Sequence, residues 1–86
     1  MDDLAALQAA VAEDADELER RYQLAVVATV AGQYEMALES AMTILQTDRK
    51  FRDDIGRTTM VRIFNVMGSG SGLTSQYRRR MFAFMH

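Results

Sequence analysis

The chain holds few groups able to do chemistry. It has no Cys and a single His, at position 86, so it lacks a thiolate nucleophile, a disulfide, a cysteine metal site and a histidine cluster. Its twelve Asp and Glu residues do not converge on an apolar segment that would raise one carboxyl and leave another ionised, as paired acid–base catalysis requires. The run Gly68-Ser69-Gly70-Ser71-Gly72 leads into no Lys and so lacks the cation of a phosphate loop. No catalytic residue, cofactor or metal is expected. What remains suits binding: the basic run Arg78-Arg79-Arg80, seven Met and several aromatic residues, all able to adapt to or grip another surface.

These groups must be positioned by helices. With 86 residues, 49% of them apolar, the chain can build one small core and not two, so a single helical domain over residues 1–86 is expected. Zero Pro and only five Gly exclude a strand-rich fold, which needs frequent turn punctuation. No stretch reaches ~18 consecutive apolar residues, and the start is acidic where a secretory signal would be basic. No membrane association is expected, and the cytoplasm is the expected compartment. The net charge of −2 hides an asymmetry. Residues 1–48 hold ten acids and two bases, a net −8, and residues 49–86 hold two acids and eight bases, a net +6. Such a chain can pair its own ends, stack on a copy, or offer its basic half to an acidic partner.

Apolar periodicity places five helices, expected over about 3–12, 16–31, 34–47, 53–67 and 73–85. Leu4, Leu7 and Val11 mark the first, with Asp2 and Asp3 at the positive end of its dipole. Asp14 or Asp16 is the expected N-cap of the second, and Gly32 its expected end. Tyr34, Ala37, Leu38, Ala41 and Leu45 form the clean stripe of the third. Asp53 or Asp54 is the expected cap of the fourth helix. Its apolar residues spread over about two-thirds of the circumference, which predicts a central helix contacted on several sides. Short connections pair the second helix with the third and the fourth with the fifth.

Leu24-Ala25, Gly32, Tyr34, Ala37, Ala41 and Ile44 follow one another at intervals that resemble the tetratricopeptide repeat. Small residues let two helix backbones approach, Gly32 permits the turn and Tyr34 fills its open end. Further on, Asp48 to Arg57, Ile63-Phe64, Met67-Gly68 and Tyr77-Arg78-Arg79-Arg80 together resemble the C-terminal repeat region of the thioredoxin-like co-chaperones called chaperedoxins. That resemblance implies an all-α stack of about five antiparallel helices. It also implies an upstream thioredoxin-like domain absent from this chain, and partners such as the chaperonin, other chaperones or unfolded clients. It makes the first helix the second half of an earlier hairpin, so its apolar side is expected to lie open or to pack on a second copy in a homodimer. The other reading of the pattern is a general helical adaptor or oligomerisation domain with no chaperone role.

Repeat hairpins grip partners on a concave surface lined by the first helix of each pair. On the second helix those positions are Glu19, Tyr22, Val26, Thr29 and Val30. Tyr22, Val26 and Val30 read as packing residues, leaving Glu19 and Thr29 as the expected partner-binding positions. On the last helix Phe82 and Arg79 fall about half a turn from the apolar stripe of Leu73, Tyr77 and Met81, and both are expected to face a partner. Arg57, close after Asp53 and Asp54, reads as structural. The basic run also has a solvated-flank explanation, so nucleic acid is not expected as a partner.

Overall fold

The computed structural model describes residues 4–14, 17–68 and 71–85. Residues 2, 3, 16, 70 and 86, on which several of these expectations fall, lie outside them. Five helices are present among the described residues: α1 (Leu4–Glu13), α2 (Leu18–Val30), α3 (Tyr34–Thr47), α4 (Ile55–Met67) and α5 (Gly72–Met85). They form the all-α stack that the apolar periodicity predicts. The centre of that stack is α3, not α4. Ala37, Leu38, Ser40, Ala41, Met42, Ile44 and Leu45 of α3 are all buried, and both α2 and α4 pack closely on this helix. The fourth helix leaves Val61 and Val66 exposed; its broad apolar arc lines open surface on two flanks. The expected pairing of α4 with α5 is also secondary, because α4 packs mainly on α3 while α5 touches both more lightly.

The small residues of α2 and α3 explain their close approach. Ala25, Ala28, Ala37 and Ala41 are fully buried, so no side chain longer than a methyl holds those points apart. The turn between them is a Schellman motif. Gln33 N–H donates to the Ala28 carbonyl (2.8 Å) and Gly32 N–H to the Thr29 carbonyl (3.1 Å), with Gly32 at φ +79°, a conformation glycine adopts without a Cβ penalty. The apolar side of α1 is covered, contrary to expectation. Leu7 and Val11 are buried against Leu24 of α2, which removes the reason given above for a homodimer through that face.

Two caps differ from their expected form. The α2 cap is Glu17, whose carboxylate accepts from the Glu19 N–H (3.2 Å). Asp14 instead ends α1, donating its N–H to the Ala10 carbonyl. Before α4, the consecutive residues Arg52, Asp53 and Asp54 have φ of 48°, 57° and 67°. A left-handed turn cannot belong to a right-handed helix, so α4 starts at Ile55. Asp54 occupies the N-cap position but makes no side-chain cap bond; its carboxylate accepts from Arg57 Nε at 2.6 Å. Gly56 then lets α4 meet α3 backbone to backbone. A Cβ there would lie 2.9 Å from Leu45 N and 3.2 Å from the Ala41 carbonyl oxygen.

The last helix is pinned to α3 by a polar clasp. Tyr77 donates its hydroxyl to Glu39 Oε1 (2.9 Å) and Arg80 donates to the same oxygen (2.5 Å). The Arg80 guanidinium also lies 4.8 Å from the Tyr77 ring centre. Arg80 holds the Glu39 carboxyl below its usual range against a smaller opposing effect of burial. Burial first, then the bond to Glu39, pushes the Tyr77 phenol up to about 12.

Candidate functional site

In front of α3 the helices α2 and α4 lie side by side and leave an open groove of about 210 Å³ between them. Tyr22, Val26, Thr29 and Val30 of α2 line one wall, at the i, i+4, i+7 and i+8 spacing that puts four side chains on one helix face. Thr59, Arg62, Ile63 and Val66 of α4 line the other. Each helix turns its small or buried residues, Ala25 and Ala28 in one and Met60 and Phe64 in the other, toward the core. Valines are thereby left in the groove. Val26 is 42% exposed, Val66 58% and Val30 85%. Such a run of apolar surface gains free energy when a partner covers it, at ~25 cal/mol per Å² removed from water.

The polar groups of the groove are sparse. Thr29 donates its hydroxyl to the Ala25 carbonyl (2.7 Å), so its donor proton is already committed and its oxygen is left only as an acceptor. The Thr59 hydroxyl is buried with no hydrogen-bond partner among the described residues. Arg62 is the one charged residue of the lining. At the rim, Arg52 donates to Glu19 (2.8 Å) and stacks 5.3 Å from the Tyr22 ring centre. That contact ties the strained turn before α4 to the start of α2. Glu19 therefore helps to hold the rim together, with its side chain still about half exposed.

The candidate residues are thus not brought to one place. Thr29 lies in the α2–α4 groove and Glu19 at its rim, whereas Arg79 and Phe82 stand on α5, which makes no contact with α2. Phe82 is 54% exposed and lines a second groove, between α4 and α5; Arg79 is exposed and lines neither. Val26 and Val30, expected to be packing residues, are groove residues instead. Arg62 and Val66 have no forerunner in the sequence reading as binding positions, although the breadth of the apolar arc on α4 was the signal that could have marked Val66.

Two parallel-lying helices in front, α2 and α4, backed by α3 with small residues at the crossing points, are the arrangement of a helical repeat. Residues 1–86 match the tetratricopeptide repeat family. The chain belongs to that family. No characterised protein and no solved structure matches it. Tetratricopeptide repeats are typically non-catalytic modules that bind other proteins, and the α2–α4 groove lies on the face formed by the first helices of the two hairpins. Among the described residues no group of three or more His, Cys, Asp or Glu could hold a metal ion, and no helix is long and apolar enough to cross a membrane.

Proposed function

We propose that this tetratricopeptide repeat binds an apolar segment of a partner protein in the α2–α4 groove, as the client-holding part of a thioredoxin-like co-chaperone. The observation that carries the groove assignment is the exposure of Val26, Val30 and Val66 along one open channel. A repeat stable enough to bury Leu38, Ile44 and Met60 completely has no packing reason to leave three valines in water. The co-chaperone reading is supported by the string from Asp48 to Arg57 and by Tyr77-Arg78-Arg79-Arg80, which resemble the chaperedoxin pattern. In that reading Arg79 and the exposed Phe82 form a separate contact on α5 for a chaperone, while Glu19 shapes the groove rim and Thr29 its wall.

The test uses light scattering from a chemically denatured client protein, with binding of purified chaperonin measured in parallel. Val26→Glu with Val66→Glu should abolish suppression of client aggregation while far-ultraviolet circular dichroism stays unchanged. Phe82→Ala with Arg79→Ala should weaken the chaperonin contact alone. Suppression that survives both valine replacements would remove the groove from the binding surface, and unchanged chaperonin affinity would remove Phe82 and Arg79.

A further inference from the structure

The second groove, about 410 Å³ between α4 and α5, has a different character. Val61, Phe64, Met81 and Met85 supply an apolar floor, and Arg57 and Arg78 stand in its lining. Arg78 lies 5.4 Å from the Phe64 ring centre. Residues 55–85 contain five Arg and no carboxylate at all. Among the described residues two of those five are matched by a carboxylate, Arg57 by Asp54 and Arg80 by Glu39.

The opposite end of the stack carries the complement. Glu13, Asp14 and Glu17 line a shallow hollow at the α1–α2 link together with Arg20, in the half of the chain that holds ten acids and two bases. Beside them the outer side of α1 exposes Ala5, Ala9 and Ala12, a low apolar face against which larger side chains can lie. The acidic end cannot fold back on the basic groove of its own copy. Helix α1 packs on α2 and against Met36 of α3, and its backbone does not approach α4 or α5.

We infer that the α4–α5 groove is a docking surface for the acidic α1–α2 end of a second copy, so that copies of this chain associate head to tail. Charge selects this geometry over a two-fold dimer. Two basic grooves placed face to face repel, as do two acidic ends, whereas unlike ends attract. A contact between two different patches is heterologous, and it propagates or closes into a ring. It is also strongly salt-dependent, because its charges lie at the rim. This surface is independent of the α2–α4 groove, although Phe82 borders it, so a docked copy covers the α5 contact described above.

The experiment is sedimentation equilibrium of the 86-residue chain up to about 1 mM, at about 0.02 M and about 0.5 M NaCl, where screening lengths differ several-fold. The average mass should climb above 9.7 kDa with concentration at low salt and return to it at high salt. Arg78→Glu alone, and Glu13→Arg with Glu17→Arg alone, should each weaken association about tenfold or more. Mixed in equal amounts, the two variants should associate again, since the native head of one meets the native tail of the other and the two reversed faces match. Val61→Glu, on the groove floor, should act like Arg78→Glu. A wild-type chain that stays monomeric at low salt overturns the inference. So does association that Arg78→Glu and Val61→Glu leave unchanged, or a mixture that fails to restore it while both variants keep wild-type circular dichroism.

Discussion

Replacing Gly56 by Ala tests whether backbone contact between α3 and α4 positions the α2–α4 groove. Gly56 is the second residue of α4 and its φ is not left-handed, so on propensity alone Ala should stabilise the helix by up to ~1 kcal/mol. The added methyl would meet Leu45 N at 2.9 Å, Leu45 Cα at 3.1 Å and the Ala41 carbonyl oxygen at 3.2 Å. All three are backbone atoms of the buried residues Ala41 and Leu45, and none can swing aside as a side-chain tip would. Relief therefore requires α4 to move away from α3, opening contacts of Met60 and Ile63, both buried. Overpacking of this kind costs about 1–3 kcal/mol and exceeds the propensity gain. The net loss, about 1–2 kcal/mol, corresponds for a domain of this size to a fall in Tm of roughly 4–16 °C.

The assay is thermal and urea unfolding followed by circular dichroism, with Gly72→Ala as the comparison. A Cβ at Gly72 meets nothing within 4 Å, so that variant should match the wild type or exceed it slightly. Because α4 also forms one wall of each groove, Gly56→Ala should weaken the proposed binding in the α2–α4 groove in step with its loss of stability. A Gly56→Ala chain as stable as the wild type would refute the claim that the two backbones are in contact, and with it the account of how α4 is placed.

Two further predictions concern the strained turn and the clasp. Asp53 is exposed and sits at φ 57°, a conformation that costs a non-glycine residue ~1–2 kcal/mol. Asp53→Gly should therefore raise the urea midpoint, by the equivalent of about 0.5–1 kcal/mol after the entropy that Gly adds to the unfolded chain. Tyr77 keeps its proton to about 12 in the folded chain against 10.0 for an unperturbed phenol. Its contribution is complete below pH 10. Above that the unfolded chain releases the proton first, so stability should drop by about 2 kcal/mol as pH rises from 10 toward 12, and urea titrations of Tyr77→Phe should lack that alkaline limb. Glu39, depressed below 4.5, acts in the opposite direction. Its contribution is present above 4.5 and fades as pH falls through the folded value, and because the side chain is half exposed the acid limb should be shallow.

How far the fold could be read in advance follows from which interactions are local. Leu7, Val11, Ala37, Leu38, Ala41 and Leu45 recur at helical spacing, and each is buried; Gly32 closes a motif confined to six residues. The left-handed run from Arg52 to Asp54 was not legible, because two Asp before an apolar helix are also the usual signal of an N-cap, and the competing salt bridge from Asp54 to Arg57 captured the carboxylate. The clasp of Glu39 with Tyr77 and Arg80 joins residues 38 and 41 positions apart, beyond the reach of any periodicity. The groove failed for another reason. A valine that lines an open channel and a valine that fills a core have the same type and the same spacing, and only the position of a neighbouring helix distinguishes them.

That ambiguity bears most on α4. Its apolar residues cover more of the circumference than contact with α3 can use, and the sequence alone suggests a helix enclosed on all sides. In the fold α3 takes the central place because its small residues, Ala37 and Ala41, admit close neighbours. The surplus apolar surface of α4 then divides. Val66 and Ile63 face α2 across one groove, and Val61 and Phe64 face α5 across the other. An arginine accompanies each set, Arg62 in the first and Arg57 in the second, without a carboxylate anywhere on the helix. A single helix thus supplies a wall to two surfaces, and Gly56, which sets its distance from α3, controls the width of both. Substitutions at Val66 and Val61 lie on different flanks and should act separately on the proposed binding in the α2–α4 groove and on self-association, whereas Gly56→Ala should disturb the two together.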